Sequence, residues 1–347
     1  MIALTWFALL AATFATPPQP YPSADELAGQ RIVVGFAGTD APPQLLSDIR
    51  RGRLAGVVVY AHRNFTSRDQ LRRLVRSVQD ARPEGAPPLL VMLDQEGGRV
   101  KRLDGPPYRS AAELGDANSK PLAVRDGRAT ARSLRSVGVN VDLAPVLDVA
   151  RRGTIMRAQQ RSYGATPRRV TRIGGAFASG LAAGGVAATG KHFPGLGLAR
   201  DNQDWQANVI RASRRTLRSV DEAPYRALRG QRRLVMVSSA TYPSLDPVGP
   251  AVFSRPIATG ELRRRLGFKG VSMTDALDTV VLHSSGGSAG TRAVRSARAG
   301  VDLLFLYDEG DGIGAQRALA QAISDGEVSR AAAEQSAARV LALRKSL

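Results

Sequence analysis

Eight short apolar runs, separated by longer amphipathic stretches, restrict this chain to a narrow set of folds. The runs occupy residues 32–36, 56–60, 89–93, 139–143, 185–189, 234–238, 270–274 and 301–306. Most are apolar nearly without interruption, so both faces of each strand must be covered, as in a parallel sheet flanked by helices. Between them, residues 68–81, 123–137, 167–183, 261–266 and 289–299 carry helical patterns, and 314–323 and 329–343 read as closing helices. Alternating strand and helix repeated eight times predicts a (β/α)8 TIM-type barrel, an α/β fold in a single domain. An open doubly wound sheet is the alternative, but no Gly-x-Gly-x-x-Gly follows the first run to support a dinucleotide fold.

Residues 1–16 are mostly apolar and shorter than the roughly 20 needed to cross a bilayer. Thr13-x-Ala15 supplies a small-residue cleavage site, although a positively charged start is missing, so the segment predicts a signal peptide. Residues 17–24, with Pro17-Pro18-Gln19-Pro20, read as a linker and 25–347 as the barrel. The expectation is an exported protein, extracellular or of the cell envelope, with no transmembrane span in the mature chain. A greasy N-terminal helix on a cytoplasmic protein is the competing reading.

The chain has no Cys, which excludes disulfides, thiolate metal ligands and Cys nucleophiles. Its formal charge is +19, but only five of the 49 basic residues are Lys, and the Arg are scattered. Aromatic residues make up 5%, too few for a base-stacking surface, so no specific nucleic-acid partner is expected.

In such a barrel the carboxyl ends of the strands build the site. Polar and charged residues follow five runs here: Asp94-Gln95-Glu96, Asp142 to Asp148 with Arg161 further along, Lys191-His192, Ser238-Ser239, and Asp275 with Asp278. Asp275 alone could be a helix cap. Five such ends together predict a pocket of carboxylates, cations and hydroxyls that suits a sugar.

These residues carry a resemblance. Leu93-Asp94-Gln95-Glu96-Gly97-Gly98-Arg99-Val100, Asn140-x-Asp142-Leu143-Ala144-Pro145, Arg161-Ser162-Tyr163-Gly164, Lys191-His192-Phe193-Pro194-Gly195 and Met273-Thr274-Asp275-Ala276 occur in the order found in glycoside hydrolase family 3. The chain resembles the single-domain β-N-acetylhexosaminidases of that family. The resemblance implies retaining hydrolysis of terminal β-linked N-acetylglucosamine from cell-wall or related glycans, with an amino-sugar glycan as partner and no metal or organic cofactor. It implies Asp275 as catalytic nucleophile and Asp94, Arg102, Arg161, Lys191 and His192 as substrate-binding residues.

One loop departs from the pattern. The resembled enzymes carry an Asp-x-His pair after Lys-His-Phe-Pro-Gly, and those positions fall on Asn202 and Asp204. The other two histidines, His62 and His283, lie in other segments. A retaining glycosidase needs a group that protonates the leaving oxygen and then deprotonates water. Asp204 is the candidate acid–base; a glycan-binding pseudoenzyme and a β-glycosidase of other sugar specificity are the alternatives.

Overall fold

The computed structural model describes residues 22–203, 205–228, 230 and 232–347. The expected signal segment and most of the expected linker therefore lie outside the described residues, and the first element is the helix Ala24–Gly29.

All eight apolar runs contribute strands: β1 (Ile32–Val34), β2 (Gly56–Val58), β3 (Leu90–Leu93), β4 (Val141–Asp142), β5 (Ala187–Phe193), β6 (Arg233–Val237), β7 (Val271–Thr274) and β8 (Leu304–Leu306). Their order in the sheet is β7-β6-β5-β4-β3-β2-β1-β8, with every neighbouring pair parallel. A parallel bridge between Met273 and Leu303 links the two ends of the sheet, so the barrel nearly closes.

Strand periodicity divides the core in two. In β1, Ile32 and Val34 face the helices, while Val33 faces inward. Inside, Val33, Val58, Met92, Val141, Leu234, Met273 and Phe305 belong to one buried cluster that fills the barrel rather than leaving a pore. The final helix, Arg330–Lys345, adds Val340 and Leu343 to this inner cluster.

The helices form where the sequence pattern points. Arg68–Asp80 starts at Ser67, whose hydroxyl accepts from the Gln70 amide, and buries Leu71, Leu74, Val75 and Val78 along one stripe. Lys120–Arg135 and Pro167–Ala183 pack tightly because glycines line their contact: a Cβ on Gly127 would lie 2.3 Å from the Phe177 carbonyl. Among the described residues, no helix is long and apolar enough to cross a membrane.

Two boundaries differ from the pattern-based expectation. The expected fourth run shrinks to Val141–Asp142, and β5 begins at Ala187 and continues through Lys191, His192 and Phe193. Lys191 and His192 therefore lie within the strand instead of just past it. The loop after β4 runs alongside and extends the ladder: Lys191 N–H donates to the Pro145 carbonyl (3.2 Å), and Leu147 N–H donates to the Lys191 carbonyl (2.7 Å). Backbone pairing, invisible in a hydrophobic pattern, decides where this strand stops.

Candidate active site

The extension of β5 places Lys191 in a buried ion network. Its Nζ lies 2.7 Å from Asp94 Oδ1 and 2.7 Å from Glu96 Oε1. Arg161 closes the other side of Glu96 with two parallel bonds, Nε to Oε2 and Nη2 to Oε1, both 2.8 Å. Asp94 follows β3, and Glu96 lies in a short hairpin formed by Gln95–Gly97 and Val100–Lys101. Gly97 turns this hairpin at φ 94°, where a Cβ would also sit 2.2 Å from the Arg109 carbonyl.

Alternation along the hairpin gives Gln95 a different task. Its Nε2 donates to the carbonyls of Leu103 (2.7 Å) and Pro106 (2.9 Å), and its Oε1 accepts from the amides of Arg102 and Leu103, both at 3.0 Å. These bonds fix the loop that carries Arg102. The Arg102 guanidinium approaches Asp94 Oδ2 at 4.0 Å. Its Nε is buried without a hydrogen-bond partner among the described residues.

Charge inside the network follows from this geometry. Burial pushes the Glu96 carboxyl up, but Arg161 and Lys191 outweigh it and bring its pKa down to about 2. Burial pulls Lys191 down, and Asp94 and Glu96 overcome that pull to hold its ammonium above the ordinary value. Asp142, at the end of β4, behaves oppositely. Burial pushes it well above the usual carboxylate range, against the Gln95 amide that donates to its Oδ1 at 3.0 Å. Its Oδ2 has no partner among the described residues.

His192 faces a separate carboxylate. Its Nδ1 is 2.8 Å from Asp148 Oδ2, and Asp148 Oδ1 accepts from the amides of His192 (3.2 Å) and Leu196 (2.6 Å). Asp148 thus orients the imidazole and anchors the start of the following loop.

Asp275 follows β7. Its own N–H donates to the Val237 carbonyl at 3.1 Å, and its Oδ1 accepts from the Ala276 amide at 2.9 Å. Gln203 Nε2 donates to Oδ2 at 2.6 Å. Burial first, then the charges of Asp94, Tyr307 and Asp275, push the phenol of buried Tyr60, two residues past β2, well above the ordinary value.

Of the residues the sequence singles out, the structure brings Asp94, Arg161 and Lys191 together around Glu96, with Arg102 beside them and His192 one residue on. Asp204 lies outside the described residues. His62 is hydrogen-bonded to Tyr307 Oη at 3.0 Å on the rim, and His283 is exposed on the short helix Val280–His283. The sequence assigned no role to Glu96, Tyr60 or Gln203. Two-residue spacing in an extended segment was the available signal for Glu96, since it puts Asp94 and Glu96 on one side.

A (β/α)8 barrel with charged groups from β3, β4, β5 and β7 gathered at one end defines the class: a barrel enzyme fold built to grip a polar ligand. Comparison with known proteins narrows it. The model of the glycosyl hydrolase family 3 N-terminal domain matches residues 25–343. An uncharacterized secreted glycosyl hydrolase of Arthroderma benhamiae is 36% identical over 328 residues, covering 92% of this chain and 93% of its own. A beta-hexosaminidase of Bordetella parapertussis is 35% identical over 291 residues, covering 81% of this chain and 80% of its own. Among solved structures, a family 3 β-N-acetylglucosaminidase from Paenibacillus sp. FPU-7 superposes with a TM-score of 0.88 at 30% identity. That match covers 94% of this chain and 63% of the longer Paenibacillus chain. The chain belongs to glycosyl hydrolase family 3, the glycoside hydrolases.

Proposed function

We propose that this glycoside hydrolase is a retaining β-N-acetylhexosaminidase that removes terminal β-linked N-acetylglucosamine, with Asp275 as nucleophile. The observation that supports it best is the shared barrel end. The Asp94–Lys191–Glu96–Arg161 network follows β3 and β5 and Asp275 follows β7, so both stand at the carboxyl end of the barrel. Charge-assisted hydrogen bonds from Lys191, Arg102, Arg161 and His192, with Asp94 as acceptor, would hold the ring hydroxyls. One Asp275 carboxylate oxygen attacks the anomeric carbon as the aglycone oxygen departs with its bonding pair. Water then attacks the same carbon, and Asp275 leaves as a carboxylate. Asp204 gives its proton to the departing oxygen in the first step and takes one from water in the second.

The amino-sugar preference draws on the names of the Bordetella and Paenibacillus relatives. We read the protein as exported and its substrate as a cell-wall or related glycan. The Arthroderma relative, described as secreted, and the apolar residues 1–16 support export.

The test is hydrolysis of two chromogenic β-N-acetylglucosaminides, one with a good leaving group and one with a poor one, by wild type, Asp275→Ala and Asp204→Ala. Turnover should vanish in Asp275→Ala. Asp204→Ala should slow the poor leaving group by about 10²- to 10⁴-fold and spare the good one. Sugar binding with no Asp275-dependent turnover would sink the enzyme reading.

A further inference from the structure

We propose that Gln203 is a positioning residue that sets the Asp275 carboxylate and latches the loop after β5 in the same act. This rests on the reading of Asp275 as nucleophile. Around Gln203 the loop is open to solvent: Arg200, Asp201, Trp205, Gln206 and Ala207 are exposed, whereas Gln203 is buried at 6%. A carboxamide buried from an exposed loop needs partners for both ends.

Gln203 finds them on two neighbouring strands. Its Oε1 accepts from Ser238 Oγ at 3.1 Å and lies 3.5 Å from Ser239 Oγ, both just past β6. Its Nε2 donates to Asp275 Oδ2 at 2.6 Å, just past β7. The donor pattern leaves one orientation. A carboxylate only accepts, so the NH2 must face Asp275, and the amide oxygen is left for the serine hydroxyls. The two carboxylate oxygens are thereby held differently. Oδ1 is held by the Ala276 amide, which belongs to the strand end itself. Oδ2 is held by the loop.

The consequence is a coupling. When the loop is seated, a charge-assisted bond fixes the Asp275 rotamer; when it lifts, that bond is lost. Alignment of the nucleophile then depends on the seated loop. Among the described residues, Gln203 bonds to Ser238 and Asp275 and not to the network around Lys191, so ground-state sugar binding should not depend on it.

The test uses Gln203→Ala and Gln203→Glu, the latter keeping the shape but replacing the donor with an acceptor. Kinetics are measured on a β-N-acetylglucosaminide whose leaving group needs no protonation, which removes the acid from the measurement. Both variants should lower kcat by about 10- to 100-fold, as misplacing a reacting group does, with the inhibition constant for N-acetylglucosamine and Tm unchanged. Gln203→Glu should be no better than Gln203→Ala. Wild-type kcat in Gln203→Ala would overturn the positioning role, and a faster variant would make Gln203 an obstruction. Hydrogen exchange across residues 198–208 supplies an arm that needs no turnover. Exchange should quicken in both Gln203→Ala and Asp275→Ala. Unchanged exchange in both overturns the latch even where the wild type hydrolyses nothing, whereas absent Asp275-dependent turnover with quickened exchange overturns only the assignment of Asp275.

Discussion

The two ends of this barrel both hold buried carboxylates among cations, yet they are built for different ends. At the amino end, Asp302 is fully buried and saturated. Its Oδ1 takes Arg339 Nε (3.0 Å) and Nη2 (2.8 Å); its Oδ2 takes the Ser272 amide (2.9 Å), the Ser272 hydroxyl (3.1 Å) and Arg263. Arg31, also buried, spends its donors on the Asp302 and Val301 carbonyls, and burial lowers its pKa to about 10. At the carboxyl end the network is graded. Side-chain exposure rises from 2% at Glu96 to 14% at Asp94 and 33% at Arg102. There, Asp142 Oδ2 has no partner among the described residues, whereas a buried Arg Nε without a partner occurs at both ends, on Arg102 and on Arg263.

The contrast teaches what unused hydrogen-bonding capacity means. A buried ion network with every carboxylate position filled can only hold the fold together, and truncating it exposes an uncompensated charge. A network whose outer members, Asp94 and Arg102, are partly exposed is prepared for a ligand whose hydroxyls complete it. The same residue types therefore serve stability at one end and recognition at the other, in line with the division of labour between the two faces of such barrels.

Substitutions at the two ends should separate these effects. Asp275→Ala should lower kcat by about 10⁴-fold or more while Tm stays level or rises, measured by steady-state kinetics beside thermal unfolding. A matching fall in Tm would mean that the carboxyl end also carries the fold. Asp302→Ala should do the reverse. It should lose about 3–5 kcal/mol in denaturant unfolding by stranding Arg263 and Arg339, with KM of the remaining folded protein unchanged. An altered KM at full stability would break the comparison outright.

Glu96 sharpens it through pH. Its pKa falls from 4.5 to about 2 on folding. A depressed carboxyl contributes stability above its unfolded value and loses it as pH falls through the folded one. Stability worth about 3 kcal/mol should therefore be present above pH ~4.5 and lost as pH falls toward ~2. Denaturant titrations across that window should show a shallower slope for Glu96→Gln than for wild type. Asp142 has the opposite sign, because its raised pKa means that folding favours its neutral form. Stability from this group is present below its unfolded value and declines as pH rises above it. Asp142→Asn, neutral at every pH, should stay within about 1 kcal/mol of wild type at low pH and gain relative to it toward neutrality.

Much of the site was legible because barrels put function at strand ends, and the strands could be counted. Lys191, Asp94 and Asp275 stood out as charges at the ends of apolar runs, and Arg161 as a cation further along the loop after the fourth run. Glu96 was hidden by its neighbours in a Gln-Glu-Gly-Gly segment, whose hairpin is set by the positive φ of Gly97 rather than by any hydrophobic pattern. Tyr60 looked like the last residue of a core strand, and it is buried; only proximity to Asp94 and Asp275 marks it out. Gln203 carries no charge and sits in a polar loop, where nothing local distinguishes it from Asn202.

The order of apolar runs and amphipathic helices determined by itself the (β/α)8 architecture, because a strand buried on both faces and followed by a helix has few other ways to pack. The motif residues determined the family, and the absence of Cys closed off thiol chemistry. Tertiary structure alone decided the pairing of charges. Lys191 meets Asp94 and Glu96 across 97 and 95 positions of sequence, and Gln203 meets Asp275 across 72. Such contacts depend on where separate strands end in space, and here even the end of β5 was set by backbone hydrogen bonds from a neighbouring loop.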